Sequence, residues 1–326
     1  MPQQPHSPLR RLLTGGLLAA FAALLLPGQS AVADPAKTLR IGYQKFNSIN
    51  ILKGSGALEK ALAPQGVTVS WHEFAAGPQL LEALSTGAID LGHAADAPSV
   101  FAQAAGKPVV YLAAEQPYPR GIGLVVREQD HIADVKALKG QRVATGRGWN
   151  AQYLLAVALE DVGLSYKDIT PAYVNNAADA VAALQSGSVQ AVTLWDPFLA
   201  AAEQQPGLKS LRDGSGLSNN RTFYLSSATF ADNNRALLKT FFSELAKVSD
   251  WANHKPDEVA ALLAPQLGIS ADVLQVASER RNYNAVAIDS KITAEQQKLA
   301  DTFQSLGLIP KAPHVADAVY PVSVLP

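Results

Sequence analysis

An α/β protein of two lobes, each a mostly parallel sheet flanked by helices, follows from three features of the sequence. Short segments rich in β-branched residues alternate with segments of helical apolar period. That alternation restarts after residue 120. Between the two runs lies EQPYPRG (115–121), with two prolines and a glycine in seven residues, as suits a connection between lobes.

In the first run, TLRIGYQ (38–44) and VTVSWHEF (67–74) read as strands, with the helix-period ILKGSGALEKALAPQG between them. GPQLLEALSTGAIDLG reads as helix, turn and short strand, APSVFAQAAG as a helix and PVVYLAAE (108–115) as a strand. The second run opens with the strand GIGLVVRE and a short helix, IADVKALKG, closed by Gly140. QRVATG, ITPAYVN and VQAVTLWD follow as strands, separated by the helices NAQYLLAVALEDVGL and AADAVAALQSG. PFLAAAEQQ adds a helix with proline at its first turn. The polar loop DGSGLSNN (213–220) closes this run, and the strand-like TFYLSS carries the chain back. The rest is helical over 232–253, 255–266, 270–281 and 292–306. The expected organisation is therefore 34–119 plus 222–326 as domain 1, with 120–221 inserted as domain 2. Closure between them is expected about 116–120 and 222–228.

Of the 326 residues, 48% are hydrophobic and 17% charged, with a formal net charge of −1. This is the composition of a globular chain with a sizeable core. It lacks the basic field that a nucleic acid or acidic membrane partner would need. Residues 1–33 read as a cleaved secretory signal peptide: Arg10 and Arg11, an uncharged run from Leu12 to Leu26, and Ala31-Val32-Ala33 before Asp34. That run is short for a bilayer crossing of roughly 20 residues. The arginine pair leaves the general secretory and twin-arginine routes both open. Removal of the segment takes the net charge to −3. With no cysteine, the chain has no disulfide, thiolate nucleophile, cysteine-bound metal or cysteine-linked lipid. The expectation is a monomer diffusing freely in the periplasm.

VATGRGWNAQYLL (143–155) fits G-x-G-x-x-A between a strand and a helix, the dinucleotide fingerprint. The acidic residue that would hold a ribose is missing from the end of the next strand, which offers Asn175 and Asn176. What remains is a glycine turn exposing backbone N–H groups at a helix start, with donors on Asn150 and Gln152 and an apolar face on Trp149. That suits an organic anion; a plain turn capped by Asn150 is the alternative. Gly77, Pro78 and Gln79 open another helix. Asp96 and Trp195–Asp196 stand at two more helix starts, where either aspartate could be a simple cap. Gln44, Glu115, Gly148 and Asp196 all lie at predicted carboxyl ends of strands, where open α/β sheets bind ligands. No G-x-S-x-G elbow and no H-x-x-x-H pair occurs, so neither a catalytic serine nor a metal or other cofactor is expected.

The strings RIGYQK, EFAAGPQLLEAL, GAIDLG, PSVFAQAAG, LKGQRVATGRG, LLAVALEDVGL, GSVQAVTLWDPF and FYL together resemble the aliphatic sulfonate-binding proteins of bacterial ABC importers, within the nitrate/sulfonate/taurine group. The resemblance runs from about Leu39 to the C-terminus. It implies a type II periplasmic-binding-protein fold that closes on its ligand and delivers it to a membrane permease and ATPase. It also implies a ligand pocket at Gln44, Gly77, Pro78, Gln79, Asp96, Ala97, Glu115, Arg120, Gly148, Trp149, Asn150, Ala151, Trp195 and Asp196. One departure stands out: Trp149 occupies a place where the family often has a small hydroxylated residue, so a bulkier, aromatic or ester-type sulfur compound comes into range.

The expected function is capture of an organosulfonate for import. Alternatives are the same receptor for a sulfate ester, taurine, nitrate or a thiamine-precursor pyrimidine, or an enzyme on the same fold. In the first reading, Gly148–Ala151 holds the anionic head through backbone N–H groups and Trp149 packs on the tail.

Overall fold

The computed structural model describes residues 38–326; the expected signal peptide lies outside them. Two sheets form. The first run contributes β1 (Thr38–Tyr43), α1 (Ser48–Ser55), α2 (Ala57–Leu62), β2 (Thr68–Glu73), α3 (Gly77–Ser85), β3 (Leu91–Ala95), α4 (Asp96–Ala104) and β4 (Val110–Glu115). The second contributes β5 (Ile122–Arg127), β6 (Arg142–Thr145), α5 (Asn150–Asp161), β7 (Thr170–Tyr173), α6 (Ala177–Gln185), β8 (Ala191–Trp195), α7 (Phe198–Glu203) and β9 (Leu208–Asp213). The chain then returns with β10 (Thr222–Ser226), α8 (Ala228–Asn233), α9 (Arg235–His254), α10 (Pro256–Leu267), α11 (Ala271–Glu279), β11 (Ala285–Val286) and α12 (Ser290–Ser305).

The six-stranded sheet has the order β11-β4-β10-β3-β1-β2 and the five-stranded sheet β7-β6-β8-β5-β9. Each sheet is mixed. β10 runs antiparallel between β3 and β4, and β5 antiparallel between β8 and β9. Both are the first strands laid down after the chain passes from one sheet to the other. Helices cover both faces of each sheet, so the central strands are apolar throughout. Leu39, Ile41 and Tyr43 of β1 pack with α1, α9 and α10, while Leu80, Leu84, Val100 and Phe303 fill the opposite face.

Several local expectations are corrected. Residues 132–140 make no α-helix. Only Val135–Leu138 turns, as a 3-10 helix whose Ala137 N–H is capped by Asp134, because Gly140 closes the segment too early. β9 was not anticipated: its LKSLRD pattern is that of an exposed edge strand, with only Leu208 buried. Thr222–Ser226 already pairs with β3 and β4, so the chain returns at 214–221 rather than at 222–228. The two passages, 116–121 and 214–221, are joined by Tyr118 N–H to Asn219 O at 2.8 Å and Gly214 N–H to Pro119 O at 3.0 Å. A Cβ on Gly214 would sit 2.5 Å from Pro119 O, so only glycine allows this approach.

Candidate ligand-binding site

A cavity lies where the carboxyl ends of the central strands of both sheets converge with the two passages. From the six-stranded side it is walled by Gln44–Asn47 after β1, by Ala76–Pro78 at the start of α3, and by His93, Ala95 and Pro98. From the five-stranded side come Trp149, Asn150, Trp195 and Asp196. Tyr118, Gly121, Asn220, Thr222 and Arg281 complete it. The free volume open to the centre of a water-sized sphere is about 50 Å3, room for roughly four waters. Phe46 (φ 63°) and Asn220 (φ 45°), both on the wall, are non-glycine residues in the left-handed region, where backbone strain commonly marks a binding site.

The turn 146–151 is built differently from the sequence expectation. The Trp149 indole lies over Gly146, where a Cβ would come within 1.9 Å of the ring, and meets Trp195 edge-on at 4.7 Å. Gly148 N–H donates to Gln152 Oε1 at 2.8 Å, and Gln152 Nε2 donates to the Tyr166 hydroxyl at 3.1 Å. Neither group is therefore offered to a ligand in this state. Asn150 is not a cap: it is the first residue of α5, and its Nδ2 donates to Asn220 Oδ1 at 2.7 Å. Asn220 Nδ2 in turn donates to Tyr118 O at 2.8 Å. Asn220 thus ties the start of α5 to both chain passages. The N–H groups of Asn150 and Ala151, and those of Gly77 and Gln79 on α3, occupy first-turn positions beyond reach of any intrahelical carbonyl.

Charge in the site is concentrated beneath the cavity wall. Glu115, 1% exposed, accepts from Thr222 Oγ1 at 2.8 Å and Tyr224 OH at 2.7 Å, and contacts Ser48 Oγ and Arg281 Nη2. His93 Nε2 lies 3.1 Å from Glu115 Oε1 but outside hydrogen-bonding geometry. Burial alone would raise the Glu115 carboxyl; the Arg281 guanidinium and the His93 ring more than offset it and hold it well below the usual range. Arg281 stacks over Tyr118 at 4.9 Å, and its buried Nε has no hydrogen-bond partner. Asp196 is equally engaged: it takes the Tyr118 hydroxyl and the Ala200 N–H (3.0 Å), with Arg280 Nη1 at 3.4 Å.

The structure brings Gln44, Gly77, Pro78, Trp149, Asn150, Trp195 and Asp196 to one cavity wall. The other expected residues are not among those lining this cavity. Gln79 and Arg120 are exposed. Gly148 and Ala151 are buried. Asp96 lines a separate cavity with Tyr153, Arg221 and Gln296, and its Oδ1 engages the Ala97 N–H at 2.7 Å, so neither residue faces the site. Glu115 is buried and paired with Arg281, which lines the cavity. Sequence reasoning missed Asn47, Tyr118, Asn220 and Arg281. Asn47 had a readable signal, an Asn-x-x-Asn capping box at the start of α1. Arg281 had none, since its partner lies 166 residues away.

Residues 37–286 match the model of the substrate-binding domain of the ABC-type glycine betaine transport system. The chain is 36% identical over 304 residues to a putative aliphatic sulfonates-binding protein of Escherichia coli (strain K12), covering 92% of this chain and 95% of that one. Among solved structures, it superposes with a TM-score of 0.83 on the alkanesulfonate-binding protein SsuA from Xanthomonas axonopodis pv. citri bound to MOPS, at 34% identity, covering 88% and 99% of the two chains. A desulfurization enzyme, DSZB, shares the fold alone, at 17% identity, a TM-score of 0.64 and coverage of 88% and 97%.

Proposed function

Since the chain belongs to the substrate-binding domain family of ABC-type importers, we propose that it is the periplasmic receptor of an organosulfonate importer. It would be exported through residues 1–33, work as a monomer, and hand its ligand to a membrane permease and ATPase. The observation that carries the ligand class is the cavity's donor set. Arg281 presents a buried guanidinium with an unpartnered Nε, beside the first-turn amides of Gly77 and Asn150 and the side-chain amides of Gln44 and Asn150. A sulfonate carries a permanent single charge spread over three oxygens, which such donors hold without a further countercharge. The volume of about 50 Å3 fits such a head. Taurine is less well served: its ammonium needs a carboxylate, and Glu115 and Asp196 are already engaged.

Binding without chemistry is the better reading of this site. The relatives at 34–36% identity are named as binding proteins, and the two carboxylates at the site are held in hydrogen bonds. The passages 116–121 and 214–221 serve as the hinge between a lobe of 34–119 plus 222–326 and an inserted lobe of 120–221. Titration calorimetry with ethanesulfonate, ethyl sulfate, taurine and nitrate tests the assignment. Ethanesulfonate is expected to bind tightest. Binding of taurine or nitrate with no heat from ethanesulfonate would overturn it.

A further inference from the structure

One buried titratable group on the cavity wall has no role in holding the ligand: His93, in the middle of β3. It is 1% exposed. Its Nε2 stands 3.1 Å from Glu115 Oε1 and makes no hydrogen bond there or elsewhere. Polar and charged groups face it from every neighbouring element. β4 brings the Glu115 carboxylate, and the segment after α11 brings Arg281 onto that carboxylate. β10 brings the Tyr224 ring at 4.8 Å, with its hydroxyl donating to Glu115 at 2.7 Å. After β1, Gln44 Nε2 donates to the His93 carbonyl at 3.3 Å, and the Lys45 ammonium is drawn to Leu267 O at 3.0 Å. Asp96, three residues on, lines a separate cavity. The charges about the ligand cavity cancel: Glu115, Asp196 and Glu203 stand against Arg281, Arg280 and Lys45.

We infer that His93 takes up a proton from solvent as the anion binds, so that the receptor captures a proton together with its ligand. The inference rests on the reading of the site as a sulfonate receptor. An anion on the free Nε of Arg281 adds one unmatched negative charge within a cavity of about 50 Å3. An imidazole answers such a charge by protonating near neutral pH. The imidazolium carries N–H on both ring nitrogens, so Nε2 becomes a donor facing Glu115 Oε1 and its idle contact becomes a charge-assisted hydrogen bond. The neutral donors of the site hold the anion on their own; the proton adds affinity at acid pH. His93 is thus a positioning residue that acts through Glu115 and Arg281.

Titration calorimetry of the full chain with ethanesulfonate, in Bis-Tris and in Tris at the same pH near 7, decides it. These buffers differ in ionisation enthalpy and neither is a sulfonate. The wild type is expected to give different heats in the two, with the sign of proton uptake, and affinity is expected to fall about tenfold from about pH 6 to 8. Ethanesulfonate keeps its charge across that range, so the slope belongs to the protein. In His93→Gln, or His93→Asn as a second variant, the buffer difference and the slope are expected to vanish; in Asp96→Asn both are expected to remain. Equal heats and a flat profile in the wild type, persistence of the effect in the His93 variants, or its loss in Asp96→Asn would each overturn the inference and leave the sulfonate assignment standing. No heat from ethanesulfonate in either buffer at any pH would remove both.

Discussion

Replacing Trp149 with serine separates two views of the opening turn. As a tail contact at an otherwise independent turn, Trp149 could be lost with little effect on stability. In the structure the indole is only 3% exposed, lies against Gly146 and packs edge-on with Trp195. Truncating a buried tryptophan costs about 3–5 kcal/mol, and the aromatic pair adds about 0.5–1.5 kcal/mol. A loss of about 4–6 kcal/mol is a large part of the 5–15 kcal/mol that typically separates folded from unfolded states. Urea denaturation of Trp149→Ser, followed by calorimetry with methane- and hexanesulfonate, reads both consequences. The expected result is a much lower midpoint and affinity losses of similar size for the two ligands, because Trp149 lines the cavity proposed to take the sulfonate head. Wild-type stability with a loss confined to hexanesulfonate would refute the packing argument.

Burial raises the Asp96 carboxyl to about 7, against the opposing hydrogen bond from the Ala97 amide. Its folded value lies above its unfolded one, so the native state holds a proton that the unfolded chain has released. This contribution is complete below about pH 4 and is lost as pH rises through about 7, by at most roughly 4 kcal/mol. Asp96→Asn is expected to flatten stability between pH 4 and 7; an unchanged slope in denaturation curves across that range would exclude the assignment. Asn220→Gly suits the left-handed backbone there but strands Asn150 Nδ2 and Tyr118 O. It is expected to cost about 1–3 kcal/mol and to weaken sulfonate binding, and wild-type values in both measurements would show that Asn220 does not couple the passages to α5.

What the residues alone determined follows from short-range periodicity. The alternation of TLRIGYQ or VQAVTLWD with helix-period stretches reflects which faces must be buried, so the α/β class and most element positions were legible. Edge strand β9 and the 3-10 turn at Val135–Leu138 were not, because a half-exposed strand and a one-turn helix carry too few apolar positions to show a period. At the site, the sequence pointed to helix starts and strand ends, and Trp149, Asn150, Trp195 and Asp196 do meet there. It could not tell which of those groups are already engaged. Whether Gly148 N–H is available depends on the rotamer of Gln152. The place of Glu115 in the network depends on Arg281, 166 residues on, and that of Asn150 on Asn220, 70 residues on. Hydrogen-bond partners across such separations are chosen by how two sheets pack, and only the tertiary structure decides that.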